Sequence, residues 1–213
     1  MTESSVSTRK YSGRPVEDRR AERRTEFLAA GLEVFGGGGY RESSITSLCR
    51  AAGLARGQFY EHFGNREDLL LAVYDLIQDD ARHAVTAAVE VAGTADVRVH
   101  MAAAVTAYAE SVGRDPRRAA VSFVEIVGVS PRVEQHRLTQ RETWVQFFIE
   151  RMRQSVGPDY VPPGGFRAAA TGFIGALMAL VQQWSTAEPR PDLADVTAVL
   201  TAFLTGLVVP AAG

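Results

Sequence analysis

The stretch from Arg41 to Asn65, RESSITSLCRAAGLARGQFYEHFGN, constrains this chain more than any other, because it encodes two short helices on a tight turn. Ile45, Leu48 and Cys49 are apolar positions spaced by three and four, the buried face of a helix that starts near Ser44, with Ser43 or Ser44 as its cap. That helix stops at Ala52-Gly53, where glycine takes the left-handed conformation, and a second begins near Ala55. The second helix carries Arg56, Gln58, Phe59, Tyr60 and His62. Two helices crossing steeply on such a turn make a helix-turn-helix, whose second helix enters the major groove while the first braces on the backbone. Gln58 suits adenine edges and Arg56 suits guanine or phosphate, while Tyr60 and His62 offer hydrogen bonds to phosphate oxygens. Phe59 and Phe63 read as core. An ordinary helical hairpin with a wet outer face has the same spacing, so the pattern alone is weakly specific.

The stretch from Thr25 to Leu70 resembles the tetracycline-repressor (TetR) family of bacterial transcription regulators. The resemblance rests on Phe35, Gly39-Tyr40, Ser44-Ile45, Leu48-Cys49, Ala52-Gly53-Leu54, Gly57, Phe59-Tyr60, His62-Phe63, Asn65-Arg66-Glu67 and Leu69-Leu70, in the family's order and spacing. It covers about a fifth of the chain. It implies that Ser44, Tyr60, His62 and Arg66 contact phosphates and that Arg56 and Gln58 face bases. One departure is Ala55, where the family usually has Ser or Thr to cap the recognition helix, so a first-turn N–H is expected to lack its side-chain acceptor.

With 213 residues, 46% hydrophobic and 23% charged, the chain has ordinary globular composition and is long enough for one or two domains. The net charge of −2 is unevenly spread: residues 1 to 64 carry ten basic and eight acidic side chains, the remainder thirteen and seventeen. Arg9, Lys10, Arg14, Arg19, Arg20, Arg23 and Arg24 lead into the helix-turn-helix, either as a solvated tail or as further phosphate or minor-groove contacts. The single cysteine, Cys49, excludes an intramolecular disulfide and reads as a small buried apolar residue. The polar N-terminus has no hydrophobic signal region, which points to the cytoplasm.

A first helix is expected from about Pro15 to Asp18 up to the Gly36-Gly37-Gly38-Gly39 run, with Phe27, Leu28, Gly31, Val34 and Phe35 facing the two short helices. The glycines read as a flexible terminator, since a phosphate-cradling loop would need GxGxxG spacing and a preceding strand. After Asn65 an apolar stripe of helical period runs to about Val91, nearly 40 Å at about 1.5 Å per residue, enough to act as a lever to a second core. Further helical segments are expected at roughly 95 to 113, 117 to 128, 131 to 155, 165 to 184 and 192 to 208. The fold class is therefore all-α with about nine helices: a basic arm over 1–15, a DNA-binding head over 16–64, and an effector-binding and dimerisation domain over 65–213.

Residues 168 to 181 are apolar on nearly every face but too few for a bilayer, which needs about 20, so they read as a helix buried all round. Gly172, Gly175, Ala176 and Ala179, with Leu200, Phe203 and Leu207 from the last segment, are expected to form a four-helix interface in a homodimer. Met101, Tyr108, Phe123, Trp144, Phe147, Phe148, Met178 and Trp184 are candidate walls of a ligand cavity, or plain core. Glu125 is either a ligand contact or a structural partner of an Arg or His. The TetR resemblance implies that this region receives a small molecule. The effector is expected to be mainly apolar, with at most one or two polar anchors such as Glu125, Tyr108 or Arg141.

Enzymatic readings find no support: the four histidines fall in separate segments, and no HExxH, CxxC, Gly-x-Ser-x-Gly or P-loop appears. No metal site or cofactor is expected. The sequence reads as a ligand-responsive, sequence-specific DNA-binding regulator, a repressor acting as a homodimer on a pseudo-palindromic double-stranded operator, with no membrane partner. The competing readings are an effector-independent DNA-binding protein with an architectural or partner-directed role, and a hydrophobic-ligand carrier that binds no DNA.

Overall fold

The computed structural model describes residues 16–93, 97–156 and 160–208, so the basic arm expected over 1–15 lies outside the described residues. Among the described residues there are nine α-helices, one π-helix and no strand. Helix α1 spans Val16–Gly38, α2 Ile45–Ala52, α3 Arg56–Tyr60 and α4 Arg66–Ala92. Then come α5 Val97–Gly113, α6 Pro116–Ala120, the π-helix Val121–Glu125, α7 Pro131–Val156, α8 Gly165–Thr186 and α9 Leu193–Val208.

The head closes because three aromatic rings meet under α3. Phe27 of α1 sits edge-on to Phe59 at 5.4 Å and to Phe63 at 6.1 Å, and all three are buried. Leu48 of α2 and Leu69 and Leu70 at the start of α4 complete that core, so the predicted apolar faces all turn inward. Gly53 ends α2 at φ 66°, the left-handed conformation expected of it. Cys49 is half-buried on the same helix.

The glycine run ends α1 as expected, yet its first member has a separate packing role. A Cβ placed on Gly36 would lie 2.5 Å from the backbone oxygen of Arg117, so α1 and α6 approach at a point where only glycine fits. This is where the head meets the second core.

The lever is α4, capped by Asn65, whose Oδ1 accepts from Asp68 N at 3.0 Å. It is tied to α7 by a polar ladder. Ser130 and Arg132 bond Glu67 and Asp68 near its start; His136 Nε2 and Gln140 Nε2 both lie 2.6 Å from Asp75 Oδ1; and the buried Trp144 indole donates to Gln78 Oε1 at 2.8 Å. The buried Trp144–Gln78 pair must be satisfied to be tolerated, and with the part-buried bonds it fixes the register of the two helices.

Helix α8 corrects one expectation. It is 22 residues long with a mean hydropathy of 1.3, enough to span a bilayer by length and composition. It is not buried all round: Ala169, Ala170, Phe173, Ile174, Leu177, Val181 and Trp184 face the core, while Ala168, Thr171, Gly172 and Ala179 are exposed. Within one chain the neighbouring helices cover only one side of it.

Candidate functional site

The recognition helix α3 is only five residues long, and Ala55 stands at its N-cap with no side-chain acceptor, as its sequence implied. Gln58 compensates from inside the helix: its Oε1 accepts from Ala55 N at 2.8 Å. That bond takes one lone pair of the oxygen that would accept from adenine, and leaves the amide Nε2 free for base edges. Arg56 and Tyr60 are exposed beside it, Tyr60 to 50%, with the guanidinium 5.9 Å from the phenol ring and Nη2 3.4 Å from its hydroxyl. Ser44 caps α2 in a capping box with Ser47, accepting from Ser47 N at 3.0 Å while Ser44 N donates to Ser47 Oγ at 2.9 Å. Ser44, Arg56, Gln58 and Tyr60 therefore border one accessible face.

Two residues expected on that face are engaged elsewhere. Arg66 Nη1 donates to the carbonyls of Ser43 and Tyr40 and to Ser43 Oγ, and its guanidinium lies 4.9 Å over the Tyr40 ring. It clasps the loop between α1 and α2 to the start of α4. His62 packs its ring against Phe27 and Phe63, and its Nε2 is buried with no hydrogen-bond partner. Burial lowers its pKa from 6.5, helped by Arg20, Arg24 and Arg23 against the opposing Glu61, so the ring is neutral at pH 7. Phosphate therefore cannot be reached through that nitrogen in this arrangement. Arg20 and Arg23 instead tie α1 to the end of α3, by a hydrogen bond to the Glu61 carbonyl at 3.3 Å and an ion pair with its carboxylate at 3.6 Å.

A cavity of about 190 Å³ lies in the second core. Of the predicted walls, Tyr108, Phe123 and Met178 line it. Met101, Trp144, Phe147, Phe148 and Trp184 do not, because each is packed into the core against its own partner. Phe148 stacks on Phe173 at 4.6 Å, Phe147 sits edge-on to Trp144 at 5.6 Å, Trp184 donates to the Pro191 carbonyl at 3.0 Å, and Thr205 Oγ1 lies 3.9 Å from Met101 Sδ. The lining is also more polar than expected, for Tyr74, Gln78, Ser122, Arg137, Arg141 and Gln182 contribute to it. Burial raises the phenol pKa of Tyr74 to about 12 and that of Tyr108 further, so both hydroxyls remain neutral donors.

Glu125 does not line the cavity, and among the described residues it pairs with no Arg or His. Its Oε2 accepts from Tyr40 N at 2.6 Å, joining the π-helix to the loop after α1. Ser122 and Phe123, on the same π-helix, do line the cavity. One short element thus touches the cavity with one end and holds the head with the other.

The expected dimer face is divided. Gly172 and Phe203 are exposed, Phe203 to 46%. Leu200 is 0% exposed and cannot meet a partner chain, because it turns into the chain's own core. Gly175 and Ala179 line the cavity, whereas Ala176 and Leu207 are half-buried.

Residues 27–73, the head and the first part of the lever, match the family model of bacterial regulatory proteins, tetR family. These residues give the chain a DNA-binding head of the tetR type. Over 141 residues it is 26% identical to the HTH-type transcriptional regulator UidR of Escherichia coli K12, covering 66% of this chain and 69% of that one. The HTH-type transcriptional activator FasR of Mycolicibacterium smegmatis is 30% identical over 114 residues, 54% of this chain and 51% of the other. The solved structure of the regulator FadR from Bacillus subtilis, in complex with stearoyl-CoA, superposes with a TM-score of 0.71 at 17% identity, over 87% of this chain and 97% of that one. The chain shares the all-helical fold and N-terminal helix-turn-helix of these transcriptional regulators.

Proposed function

We propose that this chain is a ligand-responsive repressor of the tetR family: a cytoplasmic homodimer that reads a pseudo-palindromic operator through α3 and lets go when a small molecule enters the cavity of the second core. The observation that carries this reading is the π-helix, where Ser122 and Phe123 line the cavity while Glu125 holds the Tyr40 N–H. π-helices often mark functional positions, and a turn with poor hydrogen-bond geometry changes register at low cost. A ligand that favours a different turn there shifts Glu125, and with it the loop that Arg66 and Tyr40 build beside α2. Polar bonds from Glu67 to Gln78 make α4 move with α7, so the lever transmits the same shift along a second path.

Ser44, Arg56, Gln58 and Tyr60 are the DNA-contacting set in this reading; Arg66 and His62 support the head. The relative FadR was solved with stearoyl-CoA, but a cavity of about 190 Å³ is below the roughly 300–1,000 Å³ of drug-sized sites, so a ligand of that size requires it to widen. A dimer seated across two major-groove half-sites that overlap a promoter obstructs it without a further partner, which supports a repressor.

Selecting bound duplexes from a random pool with the purified full-length protein tests the core of the proposal. The expected result is a pseudo-palindrome with half-site centres about one helical turn apart, or a multiple of it. A pool that returns no sequence preference over its input refutes specific operator binding.

A further inference from the structure

The charge in the cavity wall is not balanced. Arg137 is paired with Glu134, Nη2 to Oε1 at 2.6 Å and Nε to Oε2 at 3.0 Å. Arg141, one turn further along α7, has no hydrogen-bond or ion-pair partner among the described residues, and no Asp or Glu among them lines the cavity. Its Nη2 lies 3.5 Å from the position a Cβ on Gly175 would take, so the guanidinium rests against α8 at the cavity edge. Lining the same cavity from the π-helix, Ser122 is 8% exposed and its buried Oγ has no partner among the described residues. A buried hydroxyl without a partner costs stability unless something supplies the missing bond, and an unpaired cation beside it sets the sign of what that should be.

We propose that this cavity is a site for a small organic anion, a carboxylate seated between the Arg141 guanidinium and the Ser122 hydroxyl with its hydrocarbon part against Phe123 and Met178. The proposal rests on the ligand-responsive reading and narrows it. Two parallel N–H groups of the guanidinium and the hydroxyl supply three donors, which suits the two oxygens of a carboxylate. The amide of Gln182 and the neutral phenol of Tyr108 flank the same space. At about 190 Å³ the cavity admits a body the size of one aromatic ring or a short branched chain, about six water volumes.

The test is calorimetry on the full-length protein with benzoate, phenylacetate and isovalerate, with benzamide as the neutral isostere of the first and stearoyl-CoA as the long-chain comparison. Benzoate or phenylacetate should bind, with benzoate preferred over benzamide by about tenfold or more, as expected for a hydrogen bond to a charged group. Arg141→Gln should abolish that preference, Arg141→Lys should retain part of it, and Ser122→Ala should weaken carboxylate binding by about two- to thirteenfold. Melting curves identify variants that fold, and the preference is read on those. If no carboxylate of the panel binds, if benzamide binds equally well, or if Arg141→Gln keeps the preference, the anion site is wrong. Should stearoyl-CoA alone bind and weaken operator affinity, the anion site falls while the ligand switch stands. Should the carboxylates bind through Arg141 with operator affinity unmoved, the site stands and the switch falls.

Discussion

Gln58 has two duties in α3, and they can be separated. Its carbonyl closes the helix start that Ala55 leaves open, and its amide is left for bases. Gln58→Ala should therefore lower both helix stability and base discrimination. Adding Ala55→Ser should restore about 0.5 to 1.5 kcal/mol of stability, read as hydrogen-exchange protection over residues 56 to 62, but none of the discrimination. That discrimination, about 1 to 3 kcal/mol at one position per half-site, is read by binding-site selection on the double variant; an unchanged consensus would show that Gln58 does not read bases. His62 makes a second test. Its pKa is lowered by folding, so the native state prefers the neutral ring: stability is intact above pH 6.5 and is lost as pH falls through that value toward the lower native pKa. Replacing it by Phe should make the fall in melting temperature between pH 7 and 5 shallower, and a slope equal to wild type would show that the buried nitrogen is not the sensor. Capping and turn residues such as Ser44, Gly53 and Asn65 were legible in the sequence, because their role depends on neighbours three or four positions away. The partners of Arg66 and His62 were not, because which way a long or flat side chain turns is decided by a loop and by helix α1, more than twenty residues distant.

At the scale of elements, helix number, type and most boundaries follow from periodicity and punctuation, while the joints between elements do not. The segment expected as one helix over 117 to 128 is a five-residue α-helix running into a π-helix, and its key bond spans 85 residues, from Glu125 to Tyr40. Glu125→Ala removes a hydrogen bond to a charged group and should cost about 1.5 to 3 kcal/mol of stability. More tellingly, it should shrink the effect of a bound ligand on operator affinity, expected at about 1 to 3 kcal/mol in the wild type, while leaving ligand affinity in place. An undiminished effect would move the coupling wholly onto α4. The glycine run shows the same limit of sequence reading: a helix terminator was evident, whereas the contact of Gly36 with the Arg117 backbone depends on a helix 81 positions away. Gly36→Ala should push α1 from α6 and cost about 1 to 3 kcal/mol by overpacking, measured by denaturant midpoint at constant slope.

For the whole molecule, the open side of α8 and the exposed Val199 and Phe203 of α9 leave an apolar strip that a second copy would cover. Phe203→Asp should convert a sedimenting dimer to monomers and weaken operator binding, since half-sites are then bound singly; a variant that remains dimeric places the interface elsewhere. Leu200, expected at that interface from the helical stripe, is consumed by the chain's own core, a distinction that periodicity alone does not draw. Finally, the single thiol of the chain lies inside the head, half-buried on α2, and burial raises its pKa against the opposing pull of Arg56. A half-buried, protonated thiol reacts slowly with a disulfide reagent and faster when its surroundings open. Cys49 is thus a built-in reporter on the head: the rate at which it is trapped rises with the opening of α2, with no label attached and no second cysteine to confuse the reading.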